Sequence, residues 1–445
     1  MIAYLVNPLS LFLGVWGTAT FLYFSGVLTG AFPWPQPATV AALLLNGGTF
    51  CLGYLTCSLF RDLPPRLTGR AARAPTGGDQ ACRPLTEDRL ARALRIALFV
   101  GVVSLGLELY RLTALAAHFN TSWSYLVAHP FVLRSRLVQF ISGGMSQTSL
   151  TVVLLSLTGS IFSIGFVLLG LLLYLGRTWW KYFYLFAFLS LALLIGLLHM
   201  SRYEVTTNIL YLVFAYCFLH AQESAKSQSS SLKSSRFPLP ASHFKLLIPI
   251  FAIALLFLAV DVLLHKSAAY GHTNPLQGFA FQVYWYLASP LAAFNDFVTT
   301  FSGRWELGEN TFFPFYKWLC RLDLVQQTEI SIYVERVYLP YLANVYTYLR
   351  NFYADFGLLG VALAPYVLGW LTAVVQRRAG RHIHYLNLYI ILLLLIALSF
   401  FNFFLVSNQI YLQILFGFVF FRYEWGAAGP AQSRPMLRSY QDSRT

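Results

Sequence analysis

The chain has 445 residues, of which 57% are hydrophobic, 17% aromatic and only 11% charged. Soluble domains carry about 25% charged residues, so this composition excludes an ordinary solvated surface and points to a polytopic membrane protein. The net charge of +14 would indicate nucleic acid in a soluble protein. Here it reads as positive-inside bias plus contact with anionic membrane lipids, and no nucleic-acid partner is expected.

A crossing helix needs about 20 apolar residues. Ten runs meet or approach that length, near 4–26, 38–60, 93–112, 148–175, 182–200, 206–221, 246–265, 352–375, 385–405 and 407–422. The count rises to twelve if the outward segments 124–140 or 276–295 enter the bilayer. The first run has no basic leader and no small-residue cleavage pattern, so it reads as a retained span.

With Met1 inside, basic residues crowd the inner loops: Arg61, Arg66, Arg70 and Arg73 in the first, Arg177 and Lys181 in the second, and Lys226, Lys233 and Arg236 in the third. Arg377, Arg378 and Arg381 mark the fourth. The charge map therefore predicts a polytopic inner-membrane protein with both termini cytoplasmic. The five cysteines show neither metal spacing nor a disulfide framework.

Four regions follow. Residues 1–265 form an N-terminal transmembrane bundle, 266–351 a large periplasmic loop with amphipathic or re-entrant helices, 352–424 the C-terminal spans, and 425–445 a disordered cytoplasmic tail. The fold class is all-α. The loop is balanced in charge: Lys266, Arg304, Lys317, Arg321, Arg336 and Arg350 against Asp296, Glu306, Glu309, Asp323, Glu329 and Glu335. Aromatic residues run throughout it, which argues for order. Its segment 276–295, LQGFAFQVYWYLASPLAAFN, reads as an interfacial or re-entrant helix broken at Pro290.

Several ionisable groups lie at the outer ends of spans. Arg111 and Glu108 end the third, Arg202 and Glu204 start the sixth, and Arg134 and Arg136 precede the fourth. Arginines on the outer side run against the positive-inside trend and call for snorkelling or a ligand. A lipid diphosphate would be such a ligand, since the guanidinium fork pairs two donors with two phosphate oxygens. Asn208 reads as structural.

The richest stretch is ERVYLPYLANVYTYLRNFYADFGLLG, residues 335–360. On helical spacing, Asn344, Thr347, Tyr348, Asn351 and Asp355 share one polar face. Trp305 and Tyr346 lie among polar residues and are candidates for stacking on sugar rings.

NVYTYLRNFYADFGLLG resembles the signature of oligosaccharide repeat-unit polymerases of the O-antigen (Wzy) type. Ser201-Arg202, the YWYLASPLAAFN segment at 284–295 and GENTFFPFYKWL at 308–319 follow in a similar order. The resemblance covers roughly residues 200–375. It implies a glycosyltransferase of GT-C-like multi-span architecture that joins undecaprenyl-diphosphate-linked oligosaccharide units at the periplasmic face. The growing glycan moves onto the incoming lipid-linked unit, and undecaprenyl diphosphate leaves. A flippase and a chain-length regulator of the same pathway are the implied partners.

On that reading Arg202 leads the diphosphate ligands, with Arg111 and Arg336 as further members and Arg136 and Arg350 next. Asp355 is the leading carboxylate, followed by Glu335 and Asp296. Asn344, Tyr346, Thr347 and Trp305 line the substrate. No cofactor and no metal are expected. The alternatives are an O-antigen ligase, another polyprenyl-linked glycosyltransferase, or a glycolipid transporter. A ligase loop usually carries a histidine used in catalysis, whereas His272 is the only histidine well inside this one.

Overall fold

A computed structural model describes residues 5–59, 87–122, 124–125, 132, 149–176, 179–198, 202–230, 274–301, 303, 305–325, 337–343, 345–379, 384–401 and 407–426. The helices are α1 (Pro8–Leu28), α2 (Pro37–Leu59), α3 (Glu87–His118), α4 (Ser149–Leu175), α5 (Trp180–Leu198), α6 (Arg202–Ser230), α7 (Pro275–Thr300), α8 (Phe313–Arg321), α9 (Leu349–Ala379), α10 (His384–Leu398) and α11 (Asn408–Gly426). A short antiparallel pair, β1 (Val337–Tyr338) and β2 (Leu342–Ala343), precedes α9.

Among the described residues, seven helices are long and apolar enough to cross a membrane: α1, α2, α3, α4, α5, α6 and α9. The helical, multi-span expectation is met to that extent. Apolar stretches of α10 and α11, Tyr385–Leu398 and Asn408–Phe421, are shorter. The expected span 246–265 and the tail from 427 onward lie outside the described residues.

The helices start where local chemistry satisfies their free amides. Asn7 caps α1 by accepting from the Leu9 and Ser10 amides at 3.0 and 3.1 Å, and Pro8 fills the first position, where no N–H is needed. Asn274 and Pro275 repeat the device at α7, with the Leu276 amide 2.9 Å from the asparagine oxygen.

Packing gathers the helices into two adjoining groups. One buries α3, α4, α5, α6, α10 and α11 around Phe162, Phe166, Phe188 and Tyr389. The other joins α1, α2 and α7 to the start of α9 around Phe12, Phe50, Phe294 and Tyr348. In the second group Phe12 and Phe50 stack with ring centroids 3.8 Å apart. Outward faces carry bare apolar residues such as Phe21, Leu44, Phe99 and Phe186, as a lipid-facing surface requires.

The segment 276–295 departs from expectation. It is one continuous helix through Pro290, and its inner side is buried against the rest of the bundle. Asn295 explains how it is held. Its oxygen accepts from the Gln36 amide and the Thr39 hydroxyl, both at 2.8 Å, and its amide donates to the Trp34 carbonyl at 3.2 Å. One buried asparagine thus ties α7 to the turn between α1 and α2. Trp285, Ala288, Leu291 and Ala292 bury the same face, and these tertiary contacts outweigh the hydrogen bond lost at the proline.

The closest helix crossing is α2 on α9, through glycines on both sides. A Cβ on Gly53 would lie 2.1 Å from the Tyr366 carbonyl oxygen, and one on Gly369 would lie 2.4 Å from the Phe50 carbonyl oxygen. Both obstacles are backbone, so neither can rotate away. Gly53→Ala and Gly369→Ala are each expected to destabilise the protein by about 1–3 kcal/mol, the cost of overpacking a close interface. Equilibrium unfolding in mixed micelles measures this, and unchanged stability in both variants would show that the two helices separate easily.

Candidate functional site

Polar groups that an apolar helix would otherwise exclude converge in one cavity of about 230 Å³. Its walls are the second halves of α3 and α5, the first halves of α4, α6 and α11, and Leu394 near the end of α10. All six lie at one end of the bundle, the end that the charge map assigns to the outside. Each helix contributes a stripe at helical spacing: Ser104, Glu108 and Arg111 from α3, Ser156, Gly159 and Ser163 from α4, Tyr203, Thr207 and Tyr211 from α6, and Gln409 and Gln413 from α11.

The charges within it are organised. Arg111 Nη2 lies 2.7 Å from Glu108 Oε2, one turn apart on α3, with side chains 11% and 3% exposed. The pair compensates both charges in a low-dielectric site, while Arg111 Nε is left buried without a hydrogen-bond partner. Glu204 stands on the opposite wall, beside Asn208, whose oxygen accepts from the Ser163 hydroxyl at 2.9 Å. Tyr211 donates to Gln413 Oε1 at 2.8 Å. The Gln413 amide nitrogen is buried without a hydrogen-bond partner.

A second constellation lies at the junction of the loop with α9. Gly357 has φ +62° and ψ −148° inside α9, a left-handed kink that interrupts the helix. The Ala354 carbonyl near that kink accepts from the Glu306 amide at 3.3 Å. The loop then wraps the helix. Asp355 Oδ1 accepts from the Asn310 amide at 3.1 Å and from its side-chain nitrogen at 2.9 Å, and Oδ2 accepts from the Thr311 amide at 2.6 Å. Asn351 donates to the Asn310 carbonyl at 3.2 Å, and Asn310 also donates to the Glu306 carboxylate. Trp305 covers the kink, so that a Cβ on Gly357 would come within 2.4 Å of its ring.

One segment, the end of α10, meets both constellations. Leu394 of α10 lines the cavity, and five residues on, the Ser399 carbonyl accepts from the Tyr348 amide at 3.0 Å. Ser399 Oγ also accepts from Trp16 Nε1 at 2.8 Å. Next to this joint Arg350 is held between rings, its guanidinium carbon 4.8 Å from the Phe297 centroid and 4.6 Å from that of Tyr346.

The residues expected from sequence therefore separate into three sets. Arg111 lies in the cavity, ion-paired to Glu108. Asp355, Arg350, Trp305, Tyr346 and Thr347 lie at the junction, with Asp296 half-buried on the last turns of α7 nearby in sequence. Arg136, Glu335, Arg336 and Asn344 lie outside the described residues, as does the side chain of Arg202, whose backbone opens α6.

The single polar face drawn from 344 to 355 does not form. The helix starts only at Leu349, because the Tyr348 amide bonds to Ser399 across the bundle instead of continuing a helical ladder. Asp355 is fully buried and bonded to the loop, not paired with Arg350. The cavity's glutamines were missed. Gln409 and Gln413, four apart in a short apolar helix, are the signal that would have found them. Among the described residues no group of His, Cys, Asp and Glu is placed to hold a metal ion.

No protein-family model, curated protein or solved structure matches the chain. The site is therefore read from its own chemistry and from the sequence signature at the junction.

Asp355→Ala is expected to release the 306–311 loop from α9 at a cost of about 1.5–3 kcal/mol, the worth of hydrogen bonds to a charged acceptor. Hydrogen exchange of the Asn310 and Thr311 amides is the direct readout. Protection equal to wild type would show that other contacts hold the loop.

Proposed function

We propose that the protein is a glycosyltransferase that polymerises undecaprenyl-diphosphate-linked oligosaccharide units at the outer face of the bacterial inner membrane. The observation that carries this reading is the charged, hydrogen-bonding cavity, sunk into an otherwise apolar bundle whose α10 also meets the loop junction that bears the polymerase-like signature. A buried polar cavity costs stability wherever its groups lack partners, and a polar substrate entering from the outer leaflet offsets that cost. The reading also takes the bundle as GT-C-like and both termini as cytoplasmic.

The chemistry is transfer of an anomeric carbon from a diphosphate oxygen to an acceptor hydroxyl. The new C–O bond forms as the bond to the diphosphate breaks, and the acceptor proton passes to a base or to the departing diphosphate. Charge builds on the leaving group, so arginines aimed at it lower the barrier. Arg202 is the foremost of these by position, at the first residue of α6 and adjacent to cavity-lining Tyr203 and Glu204, with Arg336 and Arg136 as further members. Arg111 acts within the cavity wall through its pair with Glu108.

Asp355 fits a positioning role better than that of a general base. Both of its oxygens already accept hydrogen bonds from the loop, and a base needs reach to the proton it abstracts. Glu204 in the cavity wall and Glu335 ahead of the junction are the carboxylates left for the acceptor hydroxyl. Trp305, 47% exposed over the kink, offers its ring face to the glycan.

The test is the purified protein in liposomes with undecaprenyl-diphosphate-linked repeat units. A glycan ladder with stoichiometric release of undecaprenyl diphosphate is the expected result, and Arg202→Ala is expected to lower its rate by at least about 100-fold, as loss of an oxyanion-stabilising donor does. One-step transfer that appears only with a lipid A-core acceptor would make the protein a ligase. Movement of intact glycolipid across the bilayer without bond exchange would make it a transporter.

A further inference from the structure

We propose that α8 is an in-plane membrane anchor, whose apolar stripe inserts among the phospholipid headgroups and upper acyl chains of the leaflet at the cavity's end of the bundle. The inference is independent of the glycosyltransferase reading.

Helical spacing builds the stripe. Phe312, Phe315, Leu319 and Leu322 follow one another three or four residues apart, along one side of α8. Lys317 is exposed on the opposite side. Phe313, Tyr316 and Cys320 make a third, half-buried side, and the Tyr316 hydroxyl donates from it to the Leu307 carbonyl at 3.1 Å. Asp323, at φ +55°, closes the helix: its amide bonds to the Cys320 carbonyl at 3.1 Å and the Leu324 amide to the Leu319 carbonyl at 3.0 Å. Such a turn returns the chain toward Leu319, so Leu324 extends the stripe.

The stripe is bare. Phe315 is 52% exposed, Leu322 65% and Leu324 69%, and Leu307 in the preceding turn is 73% exposed. Bulky apolar side chains grouped in this way mark an interaction surface.

Continuity identifies what covers it. The Phe315 ring lies 5.2 Å from that of Tyr411 on α11, and α11 goes on to expose Leu415, Phe418 and Val419 at helical spacing from Tyr411. On the loop side, a Cβ on Gly308 would lie 3.4 Å from the Phe356 ring. Phe356 heads an exposed row with Leu359, Leu363 and Val367 on α9, a helix apolar enough to cross a membrane. The stripe thus adjoins the outward apolar rows of two helices, and the bilayer that covers those rows reaches it. With nine residues α8 is about 14 Å long at 1.5 Å per residue. That is too short to span about 30 Å of hydrocarbon, so the helix lies in the interface, apolar side down and Lys317 toward water. Tyr411 directly follows cavity-lining Gln409 and Ile410. The anchor therefore holds that wall of the cavity at headgroup depth.

The experiment uses the full chain in phospholipid nanodiscs. A photoactivatable diazirine sits in the acyl chain, near the glycerol in one preparation and at the terminal methyl in another, and labelled peptides are mapped by mass spectrometry. Residues 312–324 are expected to take the shallow probe at least about fivefold more than the deep one, as an interfacial helix does, whereas 358–370 of α9 takes both. The double variant Leu322→Glu/Leu324→Glu is expected to lower shallow labelling of 312–324 at least about threefold, because insertion scales with apolar area. Thermal unfolding checks its fold, and the single variant Leu322→Glu serves if the double one unfolds. Equal labelling of 312–324 by both probes would make the segment re-entrant and overturn the proposal. Unchanged labelling in the folded glutamate variant would overturn it as well. So would absent labelling: with the stripe open to hydroxyl-radical footprinting it faces water, and with the stripe closed to footprinting it faces a protein partner.

Discussion

A polar side chain inside a lipid-embedded bundle has no water to turn to, so each one must find its partner within the protein. That constraint organises this molecule. Asn295 satisfies three groups of the α1–α2 turn at once and thereby places α7. Trp16 and Tyr348 both reach Ser399 at the end of α10. Tyr348 also donates to Asn46 of α2 at 2.5 Å. Each bond crosses between helices distant in sequence. Together they fix the end of the bundle where α9 begins, and the apolar packing fills the space between them.

The kink at Gly357 shows how the same constraint shapes the loop. A left-handed residue within a helix leaves carbonyls near it without their usual amides. The loop answers with the Glu306 amide, and Asp355 returns the favour by accepting two loop amides. Leu307 and Gly308, both at positive φ, turn the chain tightly enough to bring those amides onto the helix. Any side chain on Gly357 would collide with Trp305, so the turn, the kink and the tryptophan specify one another. The loop is thereby an extension of the bundle's end.

The cavity is where the rule is left partly unfulfilled. Arg111 and Glu108 are paired, Ser163 bonds Asn208 and Tyr211 bonds Gln413, yet the Gln413 nitrogen and Arg111 Nε have no hydrogen-bond partner. Ligands bind where a protein keeps polar groups in reserve. Leu394 and Ser399, on one short stretch of α10, connect this reserve to the junction.

Much of the architecture was legible in the sequence. Apolar runs of membrane length announced the long helices, because a spanning segment must be apolar along its whole length and no other arrangement satisfies its backbone. Arg111, Glu108 and Glu204 were legible as charges at the ends of spans, and the loop 305–311 and Asp355 as chemically rich. Their partners were not. Sequence spacing placed Thr347 and Tyr348 on a helix, but the Ser399 carbonyl, fifty-one residues beyond Tyr348, takes the amide, and the helix starts only at Leu349. Asp355 was legible as a carboxylate near the junction, but not that Asn310 and Thr311 would donate to it from the loop. Gln409 and Gln413 were not singled out in the sequence; five other helices close around them. Length and hydropathy are local properties, so the sequence alone determined the helices and their membrane character. Which polar groups meet depends on contacts between distant segments, and only the tertiary structure decided that.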